Sequence, residues 1–184
     1  MKYLKIVVFL VFPLSILSQN NSEIFYLKSA AVSPGAYIFN KPNLDSSAGF
    51  LLNGEVAFGY KQNVFMLSVN AGEEIDLFGY NDNVQQINLM YGREFPLSNR
   101  FSVDAFAGLG YFSVKTRDYF YENSKNVIKN KRFTTMGFPI SARIRYKFND
   151  FISLGLKFEQ NINSVNSVFN TGFIVQFNFI KRKR

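Results

Sequence analysis

The sequence predicts an all-β fold, an eight-stranded antiparallel up-and-down transmembrane β-barrel over residues 19–184. Three observations predict it. Side chains alternate with period two along nearly the whole chain after its first segment, the links between the alternating runs are short and long by turns, and one face is too bulky to fit inside so small a barrel.

The chain opens MKYLKIVVFLVFPLSILSQN, with two lysines, an apolar run from Ile6 to Leu17, then small and polar residues. That order predicts a secretory signal peptide over residues 1–18, cleaved after Ser18. Pro13 breaks the run, and it is short for a membrane-anchoring helix. No cysteine follows to accept a lipid. The formal net charge of +8 includes Lys2 and Lys5, so the exported chain carries about +6. Much of the excess lies in Lys115–Arg132 and Lys181–Arg184 and forms no continuous stripe, which gives nucleic acid little support as a partner.

The first strand falls within Ile24–Phe39, where Pro34 and Gly35 interrupt the alternation. Phe50–Tyr60 sets Phe50, Leu52, Val56 and Phe58 against Asn53 and Glu55. Val64–Ala71 sets Phe65, Leu67 and Val69 against Ser68 and Asn70. Ile87–Phe95 and Phe101–Ser113 continue the split, with Asn88, Glu94, Asp104 and Gly108 on the polar side. In Met136–Phe148 and Ile152–Phe158, Arg143, Arg145 and Lys157 oppose Ile144, Tyr146, Leu154 and Leu156. Thr171–Phe179 closes the set. The links read NKPNLDSS, KQN, IDLFGYNDN, PLSNR, TRDYFYENSKNVIKNK, ND and NSVNS, the rhythm of a barrel with tight turns at one rim and longer loops at the other.

The apolar face carries no charge in the cores of these segments. Turned inward, its Phe, Tyr, Leu and Ile would overfill eight strands and leave the glycines outside, where size is unrestricted. Turned outward, it meets lipid, and closure satisfies every backbone group. Pro139 has no edge strand to occupy, which predicts a bulge there. Tyr60, Phe95, Phe101, Tyr146, Phe148, Phe151, Phe177 and Phe179 gather near the short-turn rim as an interfacial belt.

Even positions are apolar on both strands of ISARIRYKFNDFISLGLKFEQ, so the link between them has odd length. A three-residue turn, Asn149–Phe151, sets Arg143 opposite Lys157 and Glu159 diagonal to Arg143. Bases this close in a dry lumen need acids. The expected cluster joins Arg143, Arg145 and Lys157 to Glu55, Asp104 and Glu159 as a structural plug, with a gate or ion path as the functional alternative.

The chain has neither histidine nor cysteine, and no spacing suggests a catalytic, metal or cofactor site. Glu73–Glu74 reads as a solvated loop entry, and Gly108–Gly110 as packing inside a strand. The stretch Thr116–Lys131 reads as a long solvated loop, with Arg117, Tyr119, Phe120, Tyr121 and Lys125 as candidate contacts for a surface polysaccharide, lipid phosphates or a partner protein.

The segments INLMYGREFPLSNRFSVDAFAGLGYF and ISLGLKFEQNINSVNSVFNTGFIVQFNF resemble the small outer-membrane β-barrel proteins of Gram-negative bacteria, the OmpA/OmpX-like group. The resemblance lies in strand pattern and turn placement over essentially the whole exported chain. It implies both termini and the short turns in the periplasm, the long loops outside, outer-membrane lipid as surroundings and the outer-membrane assembly machinery as a partner. A final aromatic is typical of the group as an assembly signal; Phe177 and Phe179 fit, but Ile180 and a basic tail follow. The expected role is structural or surface-interacting. The alternatives are a soluble secreted barrel binding a small apolar ligand and a narrow gated pore.

Overall fold

The computed structural model describes residues 25–39, 47–74, 82–122, 125–165 and 167–179. The segment expected to be a signal peptide and the tail 181–184 lie outside them. Eight strands close into one antiparallel barrel in chain order, β1 (Tyr26–Phe39), β2 (Ser47–Tyr60), β3 (Asn63–Glu74), β4 (Asn83–Pro96), β5 (Phe101–Glu122), β6 (Lys125–Lys147), β7 (Ile152–Asn163) and β8 (Val168–Asn178). All eight predicted runs lie on strands, and β8 pairs back onto β1, so no edge remains around the wall.

The faces sort as alternation requires. Asn53, Ser68, Asn88, Asp104, Arg143 and Glu159 are buried in the lumen, while Leu89 and Phe173 are 64% and 70% exposed on the outer wall. From Phe101 to Tyr111 the apolar outer positions of β5 rise roughly 33 Å along the strand, or about 25 Å across the membrane at a tilt of about 40°. That matches the hydrocarbon band of an outer-membrane barrel. One charge departs from the expected apolar face. Arg93 stands outward on β4, and its guanidinium reaches back to Asn63 Oδ1 at 3.1 Å, where Tyr91 also donates at 2.9 Å. Its apolar stem covers the wall while its head stays at the turn rim.

The turns are tight at that rim. Lys61 adopts φ 55°, in the left-handed region, to close the two-residue link between Tyr60 and Asn63. The β6–β7 link is the three-residue turn Asn149–Phe151, pinned by Asn149 Oδ1 accepting from the amides of Phe151 and Ile152. Lys147 meets Asp150 across it at 2.7 Å, and this hydrogen bond and charge hold the Asp150 carboxyl below its ordinary range. The gain exists above the normal carboxylate range and fades as pH falls through the lowered one; full exposure keeps it weak.

Two expectations fail here. No bulge forms at Pro139. The β5–β6 ladder passes from Ala107↔Ile140 to Gly110↔Gly137 with unchanged register, and the β1–β8 ladder passes Pro34 in the same way, from Val32↔Val175 to Gly35↔Gly172. In each case pairing lapses beside the proline, and the neighbouring ladders keep the strand in line. The bulge lies instead between Leu27 and Ser29 of β1. The second failure is the loop 116–131. Strands β5 and β6 run on through it as a hairpin, paired from Lys115↔Arg132 to Glu122↔Lys125, with Tyr119 opposite Ile128 and Phe120 opposite Val127. Above the membrane both faces of a hairpin are wet, so one-sided alternation, the signal that marks the other strands, is absent. Facing aromatic and β-branched positions still favour pairing.

Candidate functional site

The lumen is built from the inward positions of all eight strands, and its charges form struts across it. The Glu55 carboxylate on β2 receives Arg143 Nη2 at 2.8 Å and Lys157 Nζ at 2.7 Å, from β6 and β7 on the far wall. Lys157 also meets Glu159 Oε2 at 2.8 Å. Arg145 binds Asp104 through two bonds, at 2.5 and 2.8 Å, and Glu94 at 2.8 Å. Lys28, the extra residue of the β1 bulge, closes the series on Glu94 at 2.6 Å. The register sets Arg143 opposite Lys157 and Asp104 opposite Arg143. The six residues of the expected cluster thus fall into two groups, Arg143–Glu55–Lys157–Glu159 and Asp104–Arg145, set side by side along β6.

Sequence reasoning left two members out. Glu94 shares the parity of Asn88 and was legible as inward, yet the link to Arg145 depends on which rows share a level. Lys28 reaches the lumen mouth through the bulge, which no residue pattern announces. Across the two groups Glu55, Glu94, Asp104 and Glu159 face Lys28, Arg143, Arg145 and Lys157, so acids and bases balance.

Above the charges, amides take over. Asn70 donates to Glu159 Oε1 at 2.8 Å and to Gln86 Oε1 at 3.1 Å, and is itself bonded to Asn53. Asn161 donates to Gln86 Oε1 at 3.2 Å. These links offset much of the cost of burying so many polar groups, although among the described residues Asn53 Oδ1, Gln86 Nε2 and Asn170 Oδ1 accept or donate no hydrogen bond. A small void of about 10 Å³ lies beside Ser33, Asn53, Lys157 and Asn170, room for about one water.

Apolar side chains pack at both ends of this polar zone, which the expectation of a polar lumen missed. Toward the loop rim, Tyr37, Leu51, Val84, Phe112, Val114 and Val168 form one cluster. Toward the turn rim, Ala57, Val64, Met66, Met90 and Phe106 form another. Arg143 joins it to the charges, lying 4.7 Å from the Phe106 ring centre and bonded to Met66 Sδ. Glycines make room for the large rings. A Cβ on Gly72 would lie 2.8 Å from Tyr37 Cε1 and 2.9 Å from the Phe50 carbonyl oxygen, whereas one on Gly54 would meet nothing within 4 Å. Gly72→Ala is therefore expected to cost about 1–3 kcal/mol by overpacking, and Gly54→Ala to be neutral. Urea midpoints of the refolded barrels check this.

Aromatics ring the outer wall at the turn rim. Phe101 packs edge-on against Tyr146 at 5.0 Å, and the Phe65 and Tyr91 rings meet tilted at 5.2 Å. The backbone positions of Arg117, Tyr119, Phe120, Tyr121 and Lys125 lie along the β5–β6 hairpin, but their side chains are outside the described residues. Among the described residues, no group of three or more His, Cys, Asp or Glu is placed to hold a metal ion.

Residues 6–179 match the family model of the outer membrane protein beta-barrel domain. No curated protein matches the sequence. Among solved structures, the chain is similar to the Neisserial surface protein A (NspA), with 12% identity, 84% of this chain and 97% of that one covered, and a TM-score of 0.62. It is similar to Ail, the attachment invasion locus protein of Yersinia pestis, with 11% identity, 83% and 98% covered, and a TM-score of 0.59. The N-terminal β-barrel domain of Pseudomonas aeruginosa OprF follows at 14% identity, 82% and 97% covered, with a TM-score of 0.53. At these identities the likeness is one of fold.

Proposed function

Since the chain belongs to the outer membrane protein beta-barrel domain family, we propose that this outer-membrane barrel is a closed structural scaffold that acts through its extracellular rim. The observation carrying this reading is the filled lumen. Cross-barrel ion pairs, amides and an apolar cluster on either side occupy the width that a passage would need. What can vary in contact is then the rim, and above all the β5–β6 hairpin. Its cationic and aromatic positions, Arg117, Tyr119, Phe120, Tyr121 and Lys125, suit an anionic surface polysaccharide or a partner protein. The Yersinia pestis protein Ail has been solved with the heparin analogue sucrose octasulfate, a precedent on this fold for an anionic glycan.

Export would use residues 1–18 as a signal peptide cleaved after Ser18. Catalysis has no support from the residues: the chain lacks histidine and cysteine, and the lumen acids Glu55, Asp104 and Glu159 are paired with bases. The test joins two measurements. Purified barrel should stay folded in mild SDS and shift in gel mobility on boiling, and in planar bilayers it should give no steady conductance above background. Detergent-free recovery from the periplasm would overturn the membrane scaffold, and discrete channel openings would favour the gated pore.

A further inference from the structure

Above the apolar band, the outer wall of β4, β5 and β6 carries a cationic recess. Ile87, Tyr111 and Met136 end the band on these strands. The next outward positions are Gln85, Ser113 and Thr134, and beyond them stand Asn83, Lys115 and Arg132. Lys115 sits opposite both Asn83 and Arg132 in the ladder. From Tyr111 to Lys115 the strand climbs roughly 10 Å along the membrane normal, into the layer that lipid headgroups occupy.

A recess of about 360 Å³ opens there, lined by Asn83, Gln85, Ser113, Lys115, Lys131 and Arg132. Arg132 does not extend into water. Its Nε donates to Ser113 Oγ at 3.2 Å and its Nη2 to Gln85 Oε1 at 3.3 Å, which lays the guanidinium back across β5 and β4 toward the apolar band. Lys131 shares the inward parity of Phe133 and is held over that ring at 4.9 Å, which leaves Lys115 as the outward ammonium. Among the described residues no carboxylate pairs with Lys115, Lys131 or Arg132. The nearest outward carboxylate in the ladder, Glu73, stands opposite Asn83, on the side away from Lys115.

We propose that this recess binds the phosphate group of a lipid headgroup in the outer leaflet. The donors suit it: a guanidinium fork, the Lys115 ammonium, an amide and a hydroxyl converge beside hydrocarbon, where the anions at hand are lipid phosphates. The fixed position of Arg132 lowers the ordering cost of capture. The proposal rests on the outer-membrane reading, with the long-loop rim outside, and does not depend on what the hairpin tip contacts.

Purified barrel in phosphatidylcholine nanodiscs containing lipid A, or its dephosphorylated form, tests the site by native mass spectrometry of the lipid retained after mild detergent extraction. Wild type is expected to retain the phosphorylated lipid selectively. Lys115→Gln with Arg132→Gln should lower that selectivity roughly tenfold or more, since each cation near an anionic headgroup contributes about a factor of five. Lys61→Gln with Arg100→Gln, at the opposite rim, should leave it unchanged. Equal retention of both lipids by wild type, or undiminished selectivity in the first double variant, overturns the site. Displacement by millimolar inorganic phosphate overturns the lipid as its source. Gel mobility before and after boiling reports the barrel separately: wild type that does not shift overturns the barrel reading, and the recess with it.

Discussion

Glu55→Gln is expected to lower the unfolding free energy of the barrel in lipid vesicles by about 3–5 kcal/mol, the range for removing one partner of a dry ion pair. Glutamine keeps the volume and one acceptor but loses the charge that serves both Arg143 at 2.8 Å and Lys157 at 2.7 Å. Lys157 would retain Glu159, whereas Arg143 would be left with Met66 sulfur and the Phe106 face. Glu159→Gln should cost less, because Lys157 keeps Glu55. Adding Arg143→Met to Glu55→Gln should recover part of the loss, since two charges are then withdrawn together from the lumen. Urea midpoints measure all three. An unchanged midpoint for Glu55→Gln would mean that water screens the strut, and the lumen would then have to be wet enough to reopen the pore reading.

Leu89→Arg should cost about 2 kcal/mol, the lower end of the range for a cation facing lipid, because Leu89 stands one outward position inside Ile87, where the apolar band ends. Leu89 lies between Leu67 and Leu109 in the two ladders of β4 and is 64% exposed on the outer wall. Leu154→Arg should cost less, because Leu154 pairs with Tyr146 near the turn rim, where an arginine can reach headgroups. Cysteine labelling separates lipid exposure from simple crowding. In intact membranes Leu89→Cys should resist a water-soluble thiol reagent and react with a lipid-soluble one. Free reaction with the aqueous reagent would show that the apolar face is wet, and the soluble ligand-binding barrel would become the better account.

Both expectations descend from alternation, which the residues alone determined. Leu67, Leu89, Leu109 and Ile144 could be set on one face, and Glu55, Asp104, Arg143 and Lys157 on the other, because a strand's side chains change sides at every step. Parity required a link of odd length, and the shortest ordinary choice, the three-residue turn Asn149–Phe151, sets Arg143 opposite Lys157 as observed. The limits of that reasoning are equally local. Parity says which face a residue joins but not its height, so it could not tell that Glu55 on β2 would face Arg143 and Lys157 across the lumen. Nor could it show that Met66, Met90 and Phe106 pack below the charges while Tyr37 and Phe112 pack above them. Those heights follow from the stagger between strands when the sheet closes, a property of the whole barrel. The β5–β6 hairpin escaped for the complementary reason: beyond the membrane neither face is selected for lipid, and cross-strand pairing rather than one-sided alternation holds Lys115 to Glu122 against Lys125 to Arg132. Sequence therefore determined the faces, because alternation is a local constraint; tertiary structure decided which buried charges meet, because only closure brings distant strands to a common level.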